Sequence, residues 1–163
     1  DVNPSGRLPV TFYKSINDLP DFENYDMKGR TYRYFEGEPL YPFGFGLSYT
    51  EFEYSNPKIS QNEDVIEMQV ELKNLGDLDG EEVVQVYIRK IEPAFWRPLK
   101  QLVAYKRVFL KSGHSNTLTI QIDTKQLRYW DMETEEYKVE PGEYELMVGG
   151  SSEDLPLKIN FKY

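Results

Sequence analysis

Between Val65 and Leu72 the chain alternates without a break, with Ile66, Met68, Val70 and Leu72 on one register and Glu67, Gln69 and Glu71 on the other. Successive side chains of a strand point to opposite faces, so this run is a strand with one apolar and one polar face. A helix would scatter the same four apolar residues around its axis. The pattern recurs along the chain. Phe52 and Tyr54 alternate with Glu51 and Glu53, and Val84, Val86 and Ile88 with Gln85, Tyr87 and Arg89. Leu118, Ile120 and Ile122 form another alternating run, Leu146 and Val148 follow Tyr144, and Leu155, Leu157, Ile159, Phe161 and Tyr163 close the chain. Leu102 to Leu110 is apolar on both registers, which suits either a bulged strand or one buried on both sides. About seven short strands, separated by turns and with no helical period, predict an all-β fold: an immunoglobulin or fibronectin III-like sandwich.

The segments between the strands read as turns. Asn74 to Gly80 and Lys111 to His114 are turns rich in Gly, Asp and Ser. Asp123 is placed to cap one helical turn ending at Leu127. Arg128 to Tyr137 is an acidic hairpin or loop. Ile91 to Leu99 carries Pro93 and Pro98 around Ala94, Phe95 and Trp96, so it projects as a loop. Tyr144 enters its strand two residues after Pro141-Gly142, an arrangement similar to the tyrosine corner of immunoglobulin-like sandwiches.

Upstream of the strands the character changes at Pro39–Thr50, PLYPFGFGLSYT, where two prolines and two glycines sit among aromatics. No regular element can pass through it, so it is a bent, packed corner. Residues 1–47 contain five prolines and only two plausible strands, Leu8–Phe12 and Thr31–Phe35. The boundary is therefore set at residues 1–47, an extended and largely irregular segment, against 48–163, the sandwich. The aromatics Phe12, Tyr13, Phe22, Tyr25, Tyr32, Tyr34 and Phe35 need cover from outside the segment or from the sandwich.

Residues 29–35, GRTYRYF, followed by the corner, resemble the junction in glycoside hydrolase family 3 β-glucosidases and β-xylosidases between the α/β sandwich domain and the C-terminal fibronectin III-like domain. Asn3 to Phe12 resembles the last strand of that α/β domain. Asn74 to Tyr87, Arg97 to Leu102 and Pro141 to Gly149 resemble successive stretches of the fibronectin III-like domain, in the family's order. Phe45 departs from the pattern, standing where the family often has a smaller or polar residue. The resemblance implies that residues 1–47 are the tail of the α/β domain plus a linker. It implies a parent that is a retaining, exo-acting β-glycosidase of carbohydrate metabolism, secreted or periplasmic, releasing glucose or xylose. The family's aspartate nucleophile and its acid/base lie in upstream elements whose motifs are absent here, so no catalytic residue is carried over. No cofactor or metal is implied. The partners implied are the catalytic domains of the parent chain, β-linked oligosaccharide at the rim, and a second copy in a homodimer.

Composition narrows the alternatives. With 28 acidic against 19 basic residues the formal charge is −9, which repels phosphate backbones and anionic membranes and argues against both as partners. Zero cysteines exclude disulfides and thiolate chemistry. No apolar run approaches the roughly 20 residues that span a bilayer.

The candidate rim or interface residues are Phe95, Trp96, Arg97 and Trp130. Phe95 and Trp96, on a proline-bounded loop, suit stacking on a sugar ring or packing against a neighbouring domain, and packing is the commoner use of such residues. Asp131, Glu133, Glu135 and Glu136 lie beside Trp130, but carboxylates clustered on a hairpin usually form a solvated face; Trp130 reads as a packing aromatic with its indole proton satisfied locally. Asp77, Asp79 and Glu81 around Gly80 lack the spacing of a calcium loop, and a hairpin turn explains them better. His114, the one histidine, reads as an exposed turn residue. Gly44 and Gly46 open no helix, so they serve the backbone's sharp turn rather than a phosphate. The leading reading is a non-catalytic module bordering catalytic domains. The alternatives are an independent carbohydrate-binding module with a platform at Phe95, Trp96 and Trp130, and a partner-binding or adhesion sandwich.

Overall fold

The computed structural model describes residues 2–163. Nine strands follow in chain order: β1 (Phe52–Gln61), β2 (Val65–Asn74), β3 (Gly80–Lys90), β4 (Gln101–Leu110), β5 (Ser115–Asp123), β6 (Arg128–Asp131), β7 (Glu136–Val139), β8 (Glu143–Gly149) and β9 (Leu157–Lys162). Seven of them build two facing antiparallel sheets, ordered β1-β2-β5 and β4-β3-β8-β9. The other two, β6 and β7, form a separate hairpin. The core between the sheets is the set that the alternation marks: Ile66, Met68, Val70 and Leu72 from β2, Val84, Val86 and Ile88 from β3, Leu118, Ile120 and Ile122 from β5, and Leu146 and Val148 from β8.

Local chemistry accounts for the irregularities. In β1 the register against β2 shifts between Ser55 and Lys58, where Pro57 has no N–H for the ladder and Asn56 adopts φ 53°. The ambiguous fourth run resolves as a bulge: Val86 pairs with Ala104 and Tyr87 with Leu102, so Val103 is the extra residue of β4. Asp123 accepts the Lys125 N–H and caps a 3₁₀ turn over Thr124–Leu127. The Tyr144 hydroxyl donates to the Glu140 carbonyl at 2.6 Å, closing the tyrosine corner across the Pro141-Gly142 turn.

The N-terminal segment is largely irregular, and its two expected strands are not formed. Leu8–Phe12 does run beside the corner: Leu8 N–H donates to the Phe45 carbonyl (2.8 Å) and Phe12 N–H to the Tyr41 carbonyl (2.9 Å). The rung between them is missing because the Phe43 carbonyl, opposite Val10, accepts the Ser152 N–H (2.9 Å) instead, so this ladder reduces to the isolated Phe12–Tyr41 bridge. Thr31–Tyr34 is instead one turn of helix, α1. Gly29 at φ 74° and Thr31 at φ 55° turn the backbone into it, and Tyr13 Oη accepts the Thr31 N–H at 2.7 Å. On a strand Tyr32 and Tyr34 would share a face; on a helical turn they point apart, and each meets a different part of the sandwich.

Candidate functional site

The loop from β3 to β4, residues 91–100, is fixed by Arg97. Its guanidinium donates to Glu140 Oε2 at 3.2 Å and to the Leu127 carbonyl at 3.1 Å, while Glu140 Oε1 accepts the Ala94 N–H at 2.8 Å. Both charged side chains are largely buried, which makes the pair a fixed anchor rather than a surface contact. Arg97 also lies over the rings of Phe95 (5.7 Å) and Tyr129 (5.4 Å), which are themselves 4.6 Å apart. Arg97 therefore turns inward, and Phe95 leans on Tyr129 of β6 while staying 41% exposed. Trp96, the residue between them, turns outward.

One face of the Trp96 indole lies on Tyr34 of α1, with ring centroids 4.4 Å apart and planes within 16°. The residue remains 60% exposed, so its other face is open. α1 is held to the loop by the Leu99 N–H on the Arg33 carbonyl (2.7 Å) and by Arg33 on Gln101 Oε1 (2.9 Å).

Trp130 does not join this group. It sits edge-on to Tyr137 at 5.0 Å on the β6–β7 hairpin, and it succeeds Tyr129, so strand alternation sends it to the opposite face. Its indole nitrogen makes no hydrogen bond among the described residues, so the expected local partner is not there, and the residue is 48% exposed. Beside it, Asp131 accepts from Lys138 (2.6 Å) and from the backbone of Glu133 and Thr134. The Lys138 ammonium holds the Asp131 carboxyl below its ordinary range and is itself raised, so Asp131 is a hairpin fastener. Asp79 accepts the Ser112 N–H, whereas Glu81 pairs with Arg107, and the two do not converge. Among the described residues no group of three or more His, Asp or Glu is placed to hold a metal ion. His114 lies exposed in its turn, with Nδ1 2.9 Å from the Ser112 carbonyl.

Below the loop, the outer face of β3 is covered by the N-terminal segment. Gln85 is 3% exposed and Tyr87 fully buried, although both stand at outward positions. Gln85 Nε2 donates to the carbonyls of Gly44 and Gly150, and its Oε1 accepts from the Tyr87 hydroxyl at 2.6 Å. Tyr32 stacks on Phe43 at 4.4 Å and meets Tyr87 edge-on at 5.7 Å. Gly44 adopts φ 82°, and a Cβ there would fall 2.1 Å from Gln85 Oε1; at Gly46 it would fall 2.3 Å from the Gly6 carbonyl. The corner's glycines thus serve a left-handed turn and two close approaches.

A buried ion pair closes the same junction. Arg7 donates to Glu82 Oε2 at 2.6 Å, and the Tyr54 hydroxyl donates to Glu82 Oε1 at 3.0 Å. Burial first, and the Glu82 charge second, push the Tyr54 phenol far above its ordinary pKa. Burial likewise raises Tyr87. On the far side of the segment, Leu8, Phe12, Tyr41, Phe45 and Leu47 line an open apolar groove of about 620 Å³.

The sequence places Phe95, Trp96 and Arg97 on one loop but is silent on Tyr34, Tyr129, Glu140 and Gln85. An excess of acids hints that Arg97 has a carboxylate partner, yet nothing local selects one 43 residues away.

Residues 1–49 match the glycosyl hydrolase family 3 C-terminal domain, and residues 82–152 match the fibronectin type III-like domain. A xylan 1,4-beta-xylosidase from Xylanibacter ruminicola is 43% identical over 160 residues, covering 97% of this chain and 18% of the relative. A periplasmic beta-glucosidase from Salmonella typhimurium is 34% identical over 168 residues, covering 93% of this chain and 22% of the relative. The crystal structure of a beta-glucosidase from Kluyveromyces marxianus in complex with glucose superposes with a TM-score of 0.92 at 35% identity, over 100% of this chain and 22% of that one. The chain thus spans about a fifth of the length of the proteins it matches.

Proposed function

Because the chain belongs to glycoside hydrolase family 3, as a C-terminal region with its fibronectin III-like domain, we propose that its own work is non-catalytic: it fastens the sandwich to the end of the α/β domain and borders the catalytic domains of a β-glucosidase or β-xylosidase. The observation that carries this reading is the burial of the outer face of β3. Gln85 and Tyr87 are covered by residues from the family 3 C-terminal domain match, so the two matched regions share one interface.

The reading assigns the apolar groove at Leu8, Phe12, Tyr41, Phe45 and Leu47 to the remainder of the α/β domain, which would bury it. It likewise assigns Phe22 and Tyr25, 95% and 91% exposed, to contacts with neighbouring domains. The working location is the periplasm or the cell exterior, in line with the relative named periplasmic. The test is hydrolysis of nitrophenyl β-glucoside and nitrophenyl β-xyloside by the purified chain. No turnover is expected. Turnover that copurifies with the chain through successive columns would overturn the non-catalytic reading.

A further inference from the structure

Trp96 is the one candidate whose surroundings prepare it for a ligand rather than for the core. The loop backbone around it is anchored by the Arg97 guanidinium and the Ala94 N–H on Glu140 and by Arg97 on the Leu127 carbonyl, so the backbone that carries the indole cannot shift without breaking a buried ion pair. Tyr34 backs one indole face in near-parallel contact, which fixes the plane of the ring and leaves the other face open to solvent. Pro93 and Pro98 stiffen the loop on both sides. A flat aromatic surface held in advance loses little side-chain entropy when something stacks on it.

The occupant follows from chemistry. In β-linked gluco- and xylopyranosyl units every ring hydroxyl and linkage is equatorial, so both ring faces present only axial C–H groups. Such a face carries a slight positive charge and lies flat on the electron-rich face of an indole. The relatives' printed names put sugars of this class beside such chains: a xylan 1,4-beta-xylosidase, and a beta-glucosidase in complex with glucose.

We infer that the open face of Trp96, backed by Tyr34, is a stacking site for a β-1,4-linked xylosyl or glucosyl unit. The site rests on the reading that the chain works beside β-glycoside-cleaving domains. One stacked ring with no enclosing pocket gives weak binding, with a dissociation constant of roughly 1–10 mM.

The test is titration of the full 163-residue chain with xylotetraose and with cellotetraose, followed by calorimetry and by tryptophan fluorescence in the Trp130→Phe protein, where Trp96 is the sole reporter. Saturable binding is expected, weakened at least tenfold by Trp96→Ala, roughly three- to tenfold by Tyr34→Leu, and less than twofold by Trp130→Phe. Far-UV circular dichroism checks that each variant folds. If Trp96→Ala does not, iodide quenching in the Trp130→Phe protein replaces it: bound tetrasaccharide must shield Trp96. Absence of binding up to about 20 mM, absence of shielding, or binding that survives Trp96→Ala would each overturn the site. These outcomes leave the non-catalytic reading standing, whereas hydrolysis by the chain would sink that reading and not the site.

Discussion

Replacing Gln85 by leucine tests whether the N-terminal segment and the sandwich are one structure. By pattern alone Gln85 is an outward strand residue, and its replacement should change stability by no more than about 0.5 kcal/mol. The structure says otherwise. Leucine is close in size but removes the partner of three groups: the carbonyls of Gly44 and Gly150 and the hydroxyl of Tyr87, the last with no exposure to water. At about 1–2 kcal/mol for each orphaned group the cost is about 3–6 kcal/mol, offset by about 1 kcal/mol from added apolar burial. The net loss of about 2–5 kcal/mol is a large part of the stability of a domain this size. In a urea melt followed by circular dichroism, with a slope near 2 kcal/mol per molar, the midpoint should fall by about 1–2.5 M. Chymotrypsin should also cut Gln85→Leu protein around Phe43 and Phe45 faster than the parent sequence, because the corner has lost its fastening. A midpoint shift under about 0.3 M with unchanged proteolysis would refute the reasoning and return Gln85 to the surface class.

Gly44→Ala should cost more than about 2 kcal/mol, combining the left-handed backbone strain with the clash against Gln85; in a Gln85→Ala background only the backbone part, about 1–2 kcal/mol, should remain, as a double-mutant cycle in urea would read. Tyr144→Phe removes the hydrogen bond to the Glu140 carbonyl and should lower stability by about 1–2 kcal/mol, measured by thermal melting, with the fold kept. At high pH, Tyr54, Tyr87 and Tyr144 are held neutral by burial, so their folded pKa values lie above the unfolded value near 10. Their contribution to stability is complete below about pH 10 and is lost as pH rises beyond it. Of the 13 tyrosines, Tyr54 and Tyr87 should ionise in a 295 nm titration only as the protein unfolds; their smooth ionisation in the folded state would contradict the burial.

The sequence by itself determined the sandwich. Period two, turn residues and capping chemistry act over a few neighbouring positions, so the seven paired strands, the Asp123 cap and the Tyr144 corner could all be read locally. The same locality misled at Thr31–Phe35, whose alternation suits a strand but whose backbone turns at Gly29 and Thr31, and at Leu8–Phe12, where Ser152 takes the Phe43 carbonyl that the ladder would need. What only the tertiary structure decided is what covers the second face of each strand. Gln85 and Tyr87 look solvated until Gly44, 41 residues earlier in the chain, and the ring of Tyr32 close over them. Arg97 finds Glu140 across 43 residues, and that pairing sets the loop from which Phe95 leans on Tyr129 and Trp96 stands out. Periodicity fixes which residues share a face, but burial of a face depends on chain brought from a distance, and no local pattern records that.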